Sequence, residues 1–193
     1  MKRFLAIFFL FAASVVRADE GGVKRLEAIA HHYSSMGGYT IEFVLKVGDA
    51  SQKGTVMVSG NNTYMRVADT EIYVQDALRY EVRGKEKEII IDRAELYEKE
   101  LFAPNGDLSK LSDEYNIEEC IVEGSTAIRL SPKRTGETLY IITSADGVSV
   151  EKVLYAVGTE RAVVKVERCK KGDVTVPRFS KTRYSGFETI DFR

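Results

Sequence analysis

Tyr39-Thr40-Ile41-Glu42-Phe43-Val44-Leu45-Lys46-Val47 decides the fold. Tyr39, Ile41, Phe43, Leu45 and Val47 alternate with Thr40, Glu42, Val44 and Lys46, and a period of two fixes a long half-buried strand. Just before it, Val23, Leu26, Ile29, Ala30 and Tyr33 fall on one face of a helix expected from about Gly22 to Met36, with Gly37-Gly38 as its stop. Just after it, Gly48-Asp49-Ala50-Ser51 turn the chain. Further strands are expected over Gly54 to Val58, Thr63 to Val67, Ile72 to Gln75, Arg79 to Arg83 and Glu88 to Asp92. Gly60-Asn61-Asn62, Ala68-Asp69 and Gly84-Lys85 supply the turns between them.

The pattern breaks after Asp92. Ala94 to Phe102 reads as helical, Pro104-Asn105-Gly106-Asp107 as a turn, and Leu108 to Tyr115 as a second short helix. Strands resume over Ile117 to Glu123, Thr126 to Leu130, Thr138 to Thr143, Val148 to Ala156, Ala162 to Cys169 and Val174 to Ser180. Short strands at this spacing describe an antiparallel meander rather than βαβ units. The fold class expected is mainly β (α+β): an incomplete antiparallel barrel of about eleven strands, since a large sheet twists and curls. An N-terminal helix and a mid-chain helical lid would cover an apolar cavity.

Lys2 and Arg3, the apolar run Phe4 to Ala13, and Val16-Arg17-Ala18 make a secretory leader with cleavage after Ala18. Residues 19–193 are then expected to form a single domain without lipidation, in the periplasm. The chain holds 28 basic and 29 acidic residues. Loss of Lys2, Arg3 and Arg17 leaves the mature chain at about −4. That balance argues against nucleic acid and anionic membrane as partners. The basic cluster at Arg168, Lys170, Lys171 and Arg178 reads as a solvated rim, with an acidic partner as the alternative. Cys120 and Cys169 are equally compatible with a disulfide and with two free thiols. The adjacent His31 and His32 point in different directions on a helix and make no ready chelate, so no metal is expected.

No catalytic constellation has usable spacing: there is no G-x-S-x-G elbow, no H-E-x-x-H and no Gly-rich nucleotide loop. Glu71, Asp76, Glu81 and Glu88 read as solvated carboxylates near strand ends. The chain is therefore expected not to be an enzyme and to need no cofactor.

Several local segments, taken in order, resemble the periplasmic outer-membrane lipoprotein carriers of the LolA type. Tyr39-Thr40-Ile41-Glu42-Phe43 is similar to that family's first strand, and Gly54-Thr55-Val56-Met57-Val58 to its second. Val74-Gln75-Asp76 stands where the family has an apolar strand running into Asp-Gly-Lys. Ile128-Arg129-Leu130-Ser131-Pro132-Lys133 resembles its F-x-L-x-P-K segment, and Asp146-Gly147 a later turn. Phe187-Glu188-Thr189-Ile190-Asp191-Phe192-Arg193 resembles its terminus. Two departures stand out. Ser59-Gly60-Asn61 replaces the K-R-P motif that carries the family's lid latch, and Ala77 rather than Gly follows Asp76.

The resemblance implies a chaperone that carries acylated lipoproteins from an inner-membrane releasing transporter to an outer-membrane acceptor, as a monomer. The expected cavity lining is Tyr39, Ile41, Phe43, Leu45, Met57, Met65, Ile89, Ile91, Leu101 and Phe102. Alternation identifies a buried face without distinguishing a hollow one from a filled one. A protein-interaction or sensing module on the same curved sheet is the alternative; it predicts a filled interior and an exposed sheet edge.

Overall fold

The structure is a computed structural model and describes residues 20–94, 108–134, 137–157 and 160–193. Helix α1 (Glu20–Ser34) leads into six strands: β1 (Gly38–Val47), β2 (Ala50–Ser59), β3 (Asn62–Val67), β4 (Thr70–Gln75), β5 (Leu78–Arg83) and β6 (Glu88–Arg93). Helix α2 (Leu108–Glu114) precedes β7 (Tyr115–Val122), β8 (Ser125–Pro132), β9 (Leu139–Thr143), β10 (Val150–Val157) and β11 (Glu160–Lys171). A 3-10 turn at Lys181–Tyr184 and a last strand β12 (Glu188–Asp191) follow.

All twelve strands join one curved, unclosed sheet in the order β12-β6-β5-β4-β3-β2-β1-β11-β10-β9-β8-β7. It is an incomplete barrel built from two meanders, joined where β1 pairs with β11. Every pairing is antiparallel except β12 with β6, which is parallel. The sheet thus has an inner face, on which α1 lies, and an outer face.

Helix α1 forms where expected because Leu26, Ile29 and Tyr33 make one apolar stripe, and all three are buried. It ends at Ser34, and the turn that follows closes at Gly37, whose φ of 74° suits a residue without a Cβ. Gly22 brings the helix close to the sheet, since a Cβ there would stand 2.9 Å from the backbone of Glu118 in β7. Beneath the stripe lie Tyr39, Ile41 and Phe43 of β1, together with Ile117, Ile128, Leu130 and Ile141 of the second meander. Each fully buried side chain of this size contributes about 1.5–3 kcal/mol.

Three details depart from the sequence-based expectation. The first hairpin turns on Gly48 and Asp49 alone, with Ala50 already paired to Val47. Val174 to Ser180 is extended but joins no ladder: Pro177 has no N–H to give, and the segment lies over the outer face rather than beside a strand. The final strand is instead Glu188–Asp191. Of the expected mid-chain helices, α2 is present, while residues 95–102 of the first lie outside the described residues.

The β4–β5 hairpin turns on Asp76 and Ala77, both left-handed with φ of 51° and 63°. Two-residue turns of this type favour Gly because an L-side chain crowds the backbone there. Ala77→Gly is therefore expected to raise stability by about 1 kcal/mol. Urea unfolding checks this through a higher midpoint at an unchanged slope.

Candidate functional site

The inner face divides into a packed half and a partly open half. Under α1, Tyr39 is 1% exposed and Phe43 3%. The Tyr33 and Tyr39 rings meet at 5.1 Å, and the Tyr33 hydroxyl accepts the Val150 N–H at 3.1 Å. Burial pushes the Tyr33 phenol up to about 12. Phe43 lies across Gly54 on the neighbouring strand, where a Cβ would stand 2.3 Å from its ring. The helices contact β7 and β8, so their cover falls on the second meander and β1. Leu45, Val56, Met65 and Val67 continue the same apolar surface along β1 to β3, but only half-buried.

At the β5–β6 side, this face ends in charge. Glu81 accepts from Arg79 Nη2 and Arg83 Nε, each at 2.7 Å, and Arg83 also pairs with Glu88 at 3.7 Å. Burial would raise the Glu81 carboxyl, but the two guanidinium hydrogen bonds outweigh it and hold it below its ordinary value. An apolar surface with a polar rim is suited to holding an amphiphile, and its charges are already committed to one another.

The ten residues expected to line one cavity fall on both faces. Tyr39, Ile41, Phe43, Leu45 and Met65 share the inner face. Met57, Ile89 and Ile91 project to the outer face, into a second core with Tyr64, Tyr73 and Tyr80. The reason is phase: Val56-Met57-Val58 and Ile89-Ile90-Ile91 are continuous apolar runs, which name a strand without naming its buried side. Leu101 and Phe102 lie outside the described residues. A separate cavity of about 430 Å³ sits at the end of the sheet, among Met36, Gly37, Gly38, Ser59 and Lys171–Val174.

The second core is closed by the C-terminal strap. Val176, Phe179, Tyr184 and Phe187 cover the outer face of β3–β6, and Phe179 stacks on Tyr80 with ring centres 4.3 Å apart. A polar knot ties the strap down. Tyr64 and Tyr184 each donate to Glu71 at 2.6 Å, Tyr73 and Tyr184 hydroxyls meet at 2.5 Å, and Arg183 reaches Tyr73 and Glu71 at 3.2 Å.

Burial raises the Glu71 carboxyl, but its tyrosine hydrogen bonds and Arg183 and Arg66 prevail, leaving it below its ordinary 4.5. The Tyr64 and Tyr184 phenols are pushed above their ordinary range, first by burial and then by that carboxylate. The sequence pattern puts Glu71 near a strand end in solvent, whereas its side chain is 13% exposed in the fold. The available signal was Tyr64, Tyr73 and Tyr80, which stand directly opposite or in line across three strands.

Cys120 and Cys169 are both free thiols. Cys120 faces outward with Ala127 and Leu154, whereas Cys169 pairs across from Ile41 on the inner face, so the sheet separates them. Among the described residues, no group of three or more His, Cys, Asp or Glu is placed to hold a metal ion.

No family model and no curated protein matches the chain. Solved structures do share its shape. An uncharacterized conserved protein from Thermus thermophilus is similar over 90% of this chain and 100% of its own, at 9% identity and a TM-score of 0.52. A MucB structure in the MucA/MucB complex of Pseudomonas aeruginosa matches over 86% of this chain at 14% identity and a TM-score of 0.42. This chain spans only 61% of that one. LprF from Mycobacterium bovis matches over 83% of this chain and 98% of its own, at 14% identity and a TM-score of 0.38. The class defined by fold and site is thus an open, mainly β incomplete barrel with a helix over its inner face. The Thermus protein shares that fold, a likeness that carries no activity with it.

Glu71 generates a test with a definite sign. Its carboxyl is held low in the folded state, so its stabilisation is complete above the ordinary 4.5 and is lost as pH falls through the depressed folded value. Glu71→Gln is expected to cost roughly 1–2 kcal/mol at neutral pH, with the gap to wild type closing in acid. Urea midpoints measured between neutral pH and pH 3 check both parts.

Proposed function

We propose that the chain is a non-catalytic periplasmic carrier that holds the acyl chains of lipoproteins against its inner face and passes them from the inner to the outer membrane. The observation that carries this is the half-buried apolar surface of Leu45, Val56, Met65 and Val67. It continues the packed core and ends at the ionic rim of Arg79, Glu81 and Arg83. Each methylene moved from water onto such a surface contributes up to about 0.8 kcal/mol. Even a partly covered acyl chain therefore gains useful affinity while remaining releasable. The leader-like Lys2 to Ala18 and the ordered segments resembling LolA-type carriers support the same reading. Its partners would be an inner-membrane releasing transporter and an outer-membrane acceptor.

One observation favours the alternative, a protein-interaction or sensing module. Among the described strands β7 stands last in the sheet order, and Ile121 on it is 70% exposed, a position suited to pairing with an extended segment of another protein.

Native mass spectrometry with an acylated lipopeptide and its unacylated twin separates the two readings. The carrier reading expects a complex with the acylated form alone, weakened at least tenfold in Met65→Glu. Binding of neither form would overturn it, and protection of β7 amides on partner binding would favour the alternative.

A further inference from the structure

Charge on this chain is segregated in space, although its net charge of −1 conceals it. On the outer face, β2, β1, β11 and β10 run between the two outer cores. Lys46, Lys53, Lys165 and Arg168 project from it, all exposed, and none forms an ion pair with a described carboxylate. Lys170 and Lys152 stand on the same face, matched by Glu42 at 3.7 Å and Glu123 at 2.9 Å.

A bulge in β11 produces this concentration. Phe43 pairs with Val166 and Glu42 with Arg168, so Glu167 is the extra residue. That insertion resets the alternation, keeping Arg168 and Lys170 on the side of Lys165 and sending Cys169 inward. Without it, strict alternation would turn Arg168 and Lys170 inward and Cys169 outward. The register also sets Lys165 directly opposite Lys152. Like charges in that position oppose folding, so the arrangement is not explained by stability.

Lys53, Val44, Lys165 and Lys152 form one row across four strands, about 15 Å wide. We propose that this face docks on the surface of a lipid bilayer containing anionic headgroups. The cations are spread over four neighbouring strands, three of the four unpaired ones are flexible lysines, and small or apolar Thr55, Val44 and Val163 lie between them. Such a layout imposes no register on its partner, as suits a fluid array of phosphates better than the fixed carboxylates of one protein. The docking does not depend on what the inner face carries.

The test is co-sedimentation of the purified protein with vesicles of phosphatidylcholine alone and of phosphatidylcholine with phosphatidylglycerol. Binding to the anionic vesicles is expected at about 0.1 M salt and its loss at about 0.5 M, where exposed charges are screened. Each basic side chain near an anionic surface is worth roughly fivefold in binding. Lys53→Gln, Lys165→Gln and Arg168→Gln combined should therefore weaken binding on the order of a hundredfold, with an unchanged circular dichroism spectrum. Lys24→Gln, Lys85→Gln and Lys87→Gln combined, on α1 and in the β5–β6 turn away from the face, should retain it. Equal binding to neutral vesicles, equal losses in the two triple variants, or no vesicle binding would each overturn the proposal. Capture by polyglutamate without vesicle binding would overturn it in favour of an acidic protein partner.

Discussion

The antiparallel pairing of β1 with β11 is the constraint on which the rest depends. It joins residues more than a hundred positions apart, from Tyr39 opposite Lys171 to Val47 opposite Ala162. Each meander alone is a sheet with a bare apolar side; fused, they give α1 a surface long enough to cover. Closing so long a loop is entropically costly, but the cost grows only slowly with loop length. The bulge at Glu167 then settles the orientation of every later residue of β11. Val164 and Val166 stay beneath the core while Lys165, Arg168 and Lys170 stay outside.

The two faces are closed by different chemistry. On the inner face, α1 contributes Leu26, Ile29 and Tyr33, a cover that is almost wholly apolar and non-directional. On the outer face, the strap combines aromatic stacking with a carboxylate shared by two tyrosines and an arginine. The hydrogen-bond geometry of Glu71 admits one position of Tyr184. The strap is thereby held in register, which apolar packing alone specifies less sharply. β12 follows directly and caps β6 with only four residues in parallel.

How much of this was legible in the sequence depends on whether a strand carried polar residues. β1 is readable because Thr40, Glu42 and Lys46 mark its outer side. The helix before it is readable because its apolar stripe has a period. β2 and β6 lose their phase in Val56-Met57-Val58 and Ile89-Ile90-Ile91, so sequence alone groups Met57, Ile89 and Ile91 with the inner residues although they project outward. Only the register, with Phe43 opposite Gly54 and Val82 opposite Ile89, supplies it. The strap and its knot were hidden because Glu71, Tyr73 and Tyr184 meet across more than a hundred residues. The segregation of basic residues was hidden for the same reason, since a net charge sums over faces that the fold keeps apart.

The packed and open halves of the inner face have opposite consequences for any apolar ligand. A chain inserted beside Tyr39 or Phe43 must displace Leu26, Ile29 or Tyr33, forfeiting about 1.5–3 kcal/mol for each side chain exposed. Leu45, Val56, Met65 and Val67 are only half-buried, so a chain laid on them disturbs less packing than one inserted beside Tyr39 or Phe43. The basic face lies on the other side of the same strands, because Lys53 and Lys46 alternate with inward-facing neighbours. A molecule docked on a bilayer through those lysines presents Leu45 and Met65 away from that bilayer. In that orientation the half-buried apolar residues of the inner face look toward the aqueous side, and the sheet itself stands between them and the docking membrane.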